Sequence, residues 1–339
     1  MSTFKIYRLH FTSPLHINSQ RNDEGYSLNT IQSDSLYAAL MSCLAKTGHT
    51  IPQDGELGFT VSSTFPYFQK GAEDTPTYFL PMPMMARQAE VSDPTKIKTL
   101  KKAKWIDSKL YGEILCGESV NQNADKYLPY IQESYLTSAP LPEDAEGCKE
   151  FVRSEVAQRV AISNRTGKED AQPYYVDKIV FSYCSGLYFI ASGNTELLEK
   201  ALGILSQEGI GTDRNVGLGF FDYSVGSISI DHPRQSDHSV SLSVYFPSSE
   251  EQLAEQLASD DVAYDFTRRG GWITTHPYNS LRKNAIYGFL PGSVFHNKEP
   301  QGVSEIGKIV NLQPSVGELT PNHPIWRNGR AIMLPITIK

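Results

Sequence analysis

Residues 210–221 read IGTDRNVGLGFF, a stretch that combines three glycines with one arginine. At Gly211, Gly217 and Gly219 no side chain covers the backbone, so main-chain N–H groups can approach and bind an anion. The guanidinium of Arg214 can add a forked, charge-assisted contact to the same anion. Because the stretch follows a helical pattern and precedes a strand pattern, it predicts a phosphate-binding turn between a helix and a strand.

These glycines do not fit either of the common nucleotide-binding motifs. A P-loop requires a Lys-Ser or Lys-Thr pair after its last glycine, and here two phenylalanines follow instead. A dinucleotide-binding turn has its glycines between a strand and the following helix, whereas here the order is reversed. A glycine hairpin with a solvated arginine stays an open alternative on spacing alone.

A second candidate chemistry is proton transfer by His16 in the segment SPLHINS. RNA cleavage without a metal needs a base near a 2′-OH and usually a second group that acts as an acid. Tyr26, Lys168 or another histidine could supply that acid, but no spacing in the sequence requires such a pair. A lone histidine near a strand end is more often a core or surface residue, so the chemistry of His16 stays open.

Three other cationic segments are candidates for contacts to RNA. NRTGK, at 164–168, reads as the tip of a hairpin, where Asn164, Arg165 and Lys168 could contact phosphates and a glycine permits the turn. A solvated hairpin without RNA contacts stays an open alternative. The lysine-rich run at 96–109 is typical of a solvated helix face or of an RNA or partner contact. RRGGW, at 268–272, combines two cations with an aromatic ring, which suits single-stranded nucleic acid.

The composition is that of a folded protein, with a length that is sufficient for two domains. The chain has 339 residues, of which 40% are hydrophobic and 20% are charged. Its net charge of −7 provides no overall attraction for nucleic acid. Any RNA site must therefore be a local basic groove.

The cysteines and the N-terminal residues indicate in which cellular compartment the protein is expected. The four cysteines are widely spaced without a C-x-x-C pair, which argues against zinc and favours reduced, mostly buried thiols: Cys43, Cys116, Cys148 and Cys184. The N-terminal MSTFKIYRLHF lacks the apolar run of a signal peptide, and no stretch is apolar enough to span a bilayer. These features predict a cytoplasmic protein with no metal and no cofactor.

The hydrophobic patterns of the first two thirds of the chain predict the order strand, helix, strand, strand, helix, strand. Alternation predicts strands at 4–13, 57–68, 157–163, 174–183, 186–192 and 220–230, and 3.6-residue periodicity predicts helices at 33–48 and 195–209. This order is the βαββαβ pattern of the ferredoxin-like fold. The region at about 70–150 fits no single pattern and is predicted to be an insertion.

The last third of the chain begins in the same way as the first. Alternation at 239–247 predicts a strand, and the following helical pattern covers 250–258. The sequence therefore predicts an α+β fold with two ferredoxin-like, RRM-like domains and antiparallel sheets. The N-terminal domain comprises 1–232, with the insertion and the glycine-rich loop 209–220, and the C-terminal domain comprises 238–339.

Four of these segments, FKIYRLHFTSPLHI, SDSLYAAL, RVAISNRTGK and GIGTDRNVGLGFF, together resemble the RAMP superfamily of CRISPR effector proteins. Three C-terminal segments, RRGGWI, LPGSVF and HPIWRNGRAIMLPI, narrow the resemblance. They are similar to the family of subunits that caps the crRNA 5′ end in type III-A (Csm) complexes. The resemblance includes both ends and the middle of the chain, while 70–150 carries little of it.

The resemblance implies a non-catalytic, RNA-binding subunit of a ribonucleoprotein for antiviral defense. Such a subunit holds the repeat-derived 5′ tag of the crRNA and meets target RNA only indirectly. It also docks the large polymerase-like signalling subunit on one side and the backbone RAMP subunit on the other, with no membrane contact. The alternatives are a metal-independent RAMP endoribonuclease that processes CRISPR transcripts with His16 as general base, and a protein–protein adaptor.

The resemblance also implies which residues contact the RNA. The glycine-rich cradle comprises Gly211, Arg214, Asn215, Gly217 and Gly219. The cleft beside it is lined by His16, Ser33 and Asp34. A thumb-like hairpin carries Arg159, Asn164, Arg165 and Thr166.

Overall fold

The structure, a computed structural model, describes most of the chain. The described residues are 1–18, 27–71, 74–87, 102–118, 128–130, 134–141, 151–161 and 172–338. Several residues named above lie outside these ranges: Tyr26, Cys148, Asn164, Arg165, Thr166, Lys168 and the first part of the lysine-rich run.

The described elements are helices and strands in a mixed order, so the predicted α+β class is confirmed. The α-helices are α1 (Ser33–Lys46), α2 (Ser108–Leu115), α3 (Thr195–Glu208) and α4 (Glu250–Gln256). The strands of the first two thirds of the chain are β1 (Ser2–Phe11), β2 (Phe59–Val61), β3 (Phe65–Phe68), β4 (Thr77–Pro81), β5 (Trp105–Asp107), β6 (Leu128–Tyr130), β7 (Tyr135–Thr137), β8 (Val152–Ala161), β9 (Gln172–Phe181), β10 (Ser185–Gly193) and β11 (Phe221–Ile230). Those of the last third are β12 (Ser236–Ser241), β13 (Phe266–Arg269), β14 (Ile286–Phe289), β15 (Val294–Gln301), β16 (Ser304–Ile306), β17 (Ile309–Asn311), β18 (Trp326–Asn328) and β19 (Ala331–Pro335).

The centre of the main sheet is formed by four antiparallel strands in the order β11–β1–β10–β3. In β1, Tyr7 and Leu9 are fully buried and alternate with the half-buried Arg8 and His10, as the period of two requires. Helices α1 and α3 cover the face that carries Tyr7 and Leu9. Their leucine stripes fill this core: Leu36, Leu40 and Leu44 from α1, and Leu198, Leu202 and Leu205 from α3.

The opposite face of the same sheet is buried as well. Ile6, Ile190 and Ile228 pack there in one core with Leu110 of α2 and with Val240 of β12. The first two thirds of the chain therefore share a hydrophobic core with the last third. The predicted boundary near residue 232 stays a prediction.

The predicted insertion extends the main sheet in its described part. The order of strands continues from β3 through β4, β5 and β7 to β6, with β5 and β7 parallel. Helix α2 follows β5 directly, and the side chain of Asp107 caps it by accepting from the Leu110 N–H at 2.8 Å. The insertion is therefore continuous with the fold that carries it.

The strand predicted at 57–68 is two strands, β2 and β3, which both pair with β10. Between them, hydroxyl groups replace part of the backbone ladder. The Ile190 N–H donates to Ser62 Oγ at 2.9 Å, and the Ile31 N–H donates to Thr64 Oγ1 at 2.7 Å. Serine and threonine compete with the backbone in this way, which explains the break.

The C-terminal region differs from the prediction in its helices. Its four-stranded sheet has the order β15–β12–β19–β16, and two ribbons, β13–β14 and β17–β18, stand beside it. Residues 236–338 are all described, and α4, with seven residues, is the only α-helix among them. A βαββαβ unit needs two helices, so the helix content does not support the ferredoxin-like description of this region.

Candidate nucleic-acid interface

The glycine-rich loop joins α3 to β11, as the sequence predicts. A 3₁₀ turn at Arg214–Val216 forms its tip, and Asp213 before this turn has a left-handed φ of 63°. The loop closes at its base, where the Ile210 N–H donates to the Gly219 carbonyl at 2.9 Å. Asn215 at the tip is exposed.

Glycine is required at two positions of this loop because the backbone passes close to other backbone atoms. At Gly219, with φ of 77°, a Cβ would lie 1.9 Å from the Ile210 carbonyl oxygen. At Gly211, with φ of 101°, it would lie 2.5 Å from the His16 carbonyl oxygen. Gly217 has a φ of 90° but open space around it, so it leaves the tip uncovered.

The tip presents main-chain donors. The N–H groups of Asp213, Arg214 and Asn215 donate to no acceptor in the described part of the chain. A left-handed residue followed by a turn directs successive N–H groups into a concave, anion-binding arrangement. The guanidinium of Arg214 forms no ion pair with any described residue, so its charge is available to an anion.

The segment that contains His16 supports the base of the loop. The Gly219 N–H donates to the Pro14 carbonyl at 2.9 Å, and the Thr212 N–H donates to the His16 carbonyl at 2.8 Å. The imidazole of His16 is 2% exposed, and its Nδ1 lies 2.6 Å from the Asp177 carbonyl oxygen in β9. The structure thus brings His16 and the loop together through the backbone, with the ring bonded to the hairpin.

The hairpin β8–β9 contacts the loop through an ion pair. Nη1 of Arg159 in β8 lies 2.6 Å from Oδ2 of Asp213, and these side chains are 24% and 29% exposed. Arg159 is therefore next to the cradle, with its charge paired, and its contact to RNA stays a prediction. The sequence did not point to Asp213 as a site residue, because a carboxylate is not expected beside a bound phosphate. Its position in the loop is explained by its ion pair with Arg159.

The predicted tip of this hairpin lies outside the described residues. The ladder is described from Val152↔Phe181 to Ala161↔Gln172. Asn164, Arg165 and Thr166 come after Ala161 and lie outside the described residues. Their contact to RNA stays a prediction.

Ser33 and Asp34, at the start of α1, contact the C-terminal region instead of an open cleft. Asp34 is fully buried, and its carboxylate accepts from Nε and Nη2 of Arg269, each at 2.7 Å, with Nη1 of Arg327 at 3.3 Å. Ser33 Oγ accepts from the Val244 N–H at 2.8 Å. The expectation that these residues line an RNA cleft is corrected, because buried side chains with occupied polar atoms offer RNA no surface.

The four residues Asp34, Arg269, Lys283 and Arg327 form a partly buried charge cluster. Burial alone would raise the pKa of Asp34, but the guanidiniums of Arg269 and Arg327 outweigh it, so this pKa is lowered. Burial and the same two arginines lower the pKa of Lys283 to about 8, although Asp34 opposes this shift. The cluster contains three cations and one carboxylate, and no sequence pattern predicts that these four side chains meet.

The described residues were also compared with the requirements of a metal site, a reactive cysteine and a membrane-spanning helix. Within those ranges no three His, Cys, Asp or Glu side chains are grouped in a way that would hold a metal ion. Cys43 and Cys184 are buried and Cys116 is exposed, and burial raises the pKa of the Cys43 thiol to about 11. None of the helices in the described ranges combines the length and the apolar character that crossing a membrane requires.

The chain is similar in sequence to one family of CRISPR proteins. The family model for the CRISPR Csm4 C-terminal domain matches residues 234–336. The "CRISPR system Cms protein Csm4" of Mycobacterium tuberculosis (strain CDC 1551 / Oshkosh) is 26% identical over 330 residues, which cover 93% of each chain. The protein of that name from Streptococcus thermophilus is 25% identical over 322 residues, covering 92% of this chain and 93% of the other.

Solved structures share the fold over the whole chain. A chain of the Csm3–Csm4 subcomplex in the type III-A CRISPR-Cas interference complex matches with a TM-score of 0.62 and 18% identity, and 98% of this chain and 99% of the other are covered. A chain of the Csm1–Csm4 cassette in complex with cA4 matches with a TM-score of 0.57 and 18% identity, with coverages of 100% and 99%. At this identity the likeness establishes the fold.

Proposed function

We propose that this chain is a Csm4 protein of the RAMP superfamily and that it holds the 5′ tag of the crRNA in a type III-A Csm complex. In this role it bridges the large signalling subunit and the backbone RAMP subunits without catalysing a reaction. The named neighbours support the bridging role, because their structures pair Csm4 with Csm1 in one case and with Csm3 in the other.

One observation carries the proposal: among the described residues, nothing accepts from the main-chain donors at the tip of the glycine-rich loop or pairs with the neighbouring Arg214. The N–H groups of Asp213, Arg214 and Asn215 and the Arg214 guanidinium together suit one phosphate. An irregular RNA single strand is recognised by such backbone amides, by 2′-OH contacts and by splayed bases. The open space around Gly217 lets the strand approach the main chain.

The ion pair between Arg159 and Asp213 supports a common role for the loop and the hairpin β8–β9. It links the two elements beside the cradle, so an RNA end held by the loop would lie next to the hairpin. The hairpin-tip residues Asn164, Arg165 and Thr166 are proposed as further contacts on this side.

A retention assay with a matched control tests the proposal. Csm complexes are assembled with the Arg214→Ala chain, purified, and assayed for bound crRNA with and without its 5′ tag. Loss of one good contact costs about 1–3 kcal/mol, so tagged crRNA should dissociate faster from this variant. Arg234→Ala is the control, because Arg234 is exposed and follows the far end of β11, about 30 Å from the loop at 3.4 Å per residue.

Each alternative function predicts a different result in the same assays. An adaptor predicts that Arg214→Ala retains crRNA as well as the wild type. An endoribonuclease predicts that the purified chain cuts repeat RNA and that His16→Ala abolishes cutting. We expect intact RNA, because the His16 ring is buried and its Nδ1 already donates to the Asp177 carbonyl.

A further inference from the structure

Residues 266–289 contain a two-stranded ribbon that is interrupted at 270–271, here called the C-terminal ribbon. β13 and β14 pair at its base, from Phe266↔Phe289 to Arg269↔Ile286. The pairing continues beyond Gly270, where Trp272 lies opposite Arg282. Successive side chains alternate between the two faces of such a ribbon, which gives it an outer and an inner face.

The outer face carries exposed aromatic rings with arginines between them. Phe266, Trp272 and Tyr287 are 54%, 53% and 63% exposed. Arg268 is exposed and lies directly opposite Tyr287, and the Arg282 guanidinium lies 4.6 Å from the Trp272 ring centroid. Three large exposed rings on one ribbon form a surface that a partner would cover.

The charge of this surface favours a polyanion as that partner. Residues 266–298 contain no Asp or Glu, although the whole chain has more acidic than basic residues. The positive charges of Arg268 and Arg282 therefore have no acidic residue within 266–298 to neutralise them. Neither arginine forms an ion pair with a described residue. Single-stranded RNA uses both the rings, by stacking, and the cations, by phosphate contacts.

The inner face fixes the ribbon to the protein. Arg269 forms its bidentate pair with the buried Asp34, and Arg327 Nη2 donates to the Gly270 carbonyl at 3.1 Å. Ile273, next to Trp272, is buried, and its N–H donates to the Leu281 carbonyl at 3.0 Å. The outer rings are thus displayed on an anchored backbone, which lowers the entropic cost of binding.

We propose that the outer face of the C-terminal ribbon binds single-stranded RNA by stacking bases on Trp272 and its neighbouring rings. Arg268 and Arg282 contact the flanking phosphates. Base–aromatic stacking tolerates any sequence, so this contact is independent of the tag and separate from the glycine-rich loop. It would hold RNA that is not the tag.

Tryptophan fluorescence of the full chain, titrated with an unstructured 12-nucleotide oligouridylate, tests the stacking. Trp272 is exposed while Trp105 and Trp326 are partly buried, so quenching on stacking should come from Trp272. Trp272→Ala should lose the quenching and weaken binding about 5- to 100-fold by fluorescence anisotropy of a labelled oligonucleotide. Trp272→Phe keeps a stacking ring and should retain most of the binding.

The salt dependence of the same titration separates phosphate contacts from stacking. With two phosphate contacts removed, Arg268→Ala/Arg282→Ala should reduce the slope of log K against log salt by about 1.4, while Trp272→Ala leaves the slope unchanged. Lys298→Ala is the control, because Lys298 is exposed but already pairs with Glu255 at 2.9 Å. Thermal unfolding confirms that each variant is folded.

These results are distinguishable from those of the tag assay. Arg214→Ala should keep the oligouridylate-induced quenching even where it releases tagged crRNA. Unchanged affinity in both Trp272→Ala and Arg268→Ala/Arg282→Ala would overturn the inference. Loss of binding to a protein subunit in these variants, without any effect on oligouridylate, would overturn it too and identify a protein-docking surface.

Discussion

The glycine-rich loop and the C-terminal ribbon are both short segments with glycine and arginine, yet they present different groups to solvent. The loop presents main-chain N–H groups at Asp213–Asn215 beside a single guanidinium. The ribbon has much of its backbone paired and presents the side chains of Trp272 and Tyr287. The loop therefore suits one phosphate in a fixed position, whereas the ribbon suits the π-face of any base.

The doublet Arg268–Arg269 shows what separates a binding residue from a structural one. The two arginines are adjacent in sequence, but they lie on opposite faces of β13 because strand side chains alternate. Arg268 is exposed, and Arg269 is buried against Asp34. A cation in a motif is therefore a candidate RNA ligand only where the register turns it outward.

The largest effect is expected from breaking the anchor of the ribbon. Asp34→Ala leaves Arg269 and Arg327 partly buried without their carboxylate, which should lower the free energy of unfolding by about 3–5 kcal/mol. Denaturant titration measures this change, with the exposed Asp260→Asn as control. An effect no larger than that of the control would show that the cluster does not hold the ribbon.

The loop can be tested with two glycines that share a left-handed φ but differ in their surroundings. Gly217→Ala should cost about 1–2 kcal/mol of stability from strain alone and weaken crRNA retention only slightly, because one methyl group fills little of the open space at the tip. Gly219→Ala should cost more and release crRNA, because its Cβ would overlap the Ile210 carbonyl and open the loop. Equal behaviour of the two variants in thermal unfolding and retention would contradict this account of the base of the loop.

The ion pair between Arg159 and Asp213 should contribute little to stability and should weaken RNA binding, because it places a carboxylate in the cradle and occupies Arg159. Because both side chains are partly exposed, a double-mutant cycle with Arg159→Met and Asp213→Asn should give a coupling of about 0.2–1 kcal/mol. Asp213→Asn should strengthen crRNA retention, since it removes a negative charge from the cradle and frees Arg159, while asparagine tolerates the left-handed φ. Asp222→Asn, an exposed carboxylate on β11, is the control, and weaker retention in Asp213→Asn would argue against a phosphate site.

The smallest effect concerns the pH dependence of the charge cluster. The pKa of Lys283 is lowered from 10.5 to about 8. Between these pH values the unfolded chain binds more protons than the folded one, so the contribution of Lys283 to the free energy of unfolding rises with pH. The free energy of unfolding of the wild type relative to that of Lys283→Met should therefore increase from pH 8 to pH 10. If this difference does not change with pH, Lys283 lies in open solvent and not in the cluster.

The sequence predicted those elements whose pattern depends on local periodicity. Helices α1 and α3 begin at the expected Ser33 and Thr195. The hairpin β8–β9 overlaps the strands predicted at 157–163 and 174–183, although β8 begins five residues earlier, and the glycine-rich loop precedes β11 as predicted. The break between β2 and β3 was missed, because no periodicity reveals that Ser62 accepts a β10 ladder N–H through its hydroxyl group or that Thr64 bonds to Ile31, outside the sheet.

The site was predictable where it depends on glycine and not where it depends on distant partners. The loop glycines can be recognised because few other reasons place three of them together. The burial of Asp34 could not be seen, since its partners Arg269 and Arg327 are more than 200 residues away in sequence. The pairing of Arg159 with Asp213 likewise requires the tertiary fold.

The most direct test of the central claim is photo-crosslinking from the tip of the loop. A photoreactive phenylalanine analogue replaces Val216, which is 56% exposed beside Gly217, in the assembled Csm complex. Mapping the crosslinked nucleotide should identify the 5′ tag of the crRNA, while the same analogue at the exposed Val225 of β11 should not reach it. Crosslinks from position 216 to protein alone, or to the spacer part of the crRNA, would contradict the claim that this loop holds the tag.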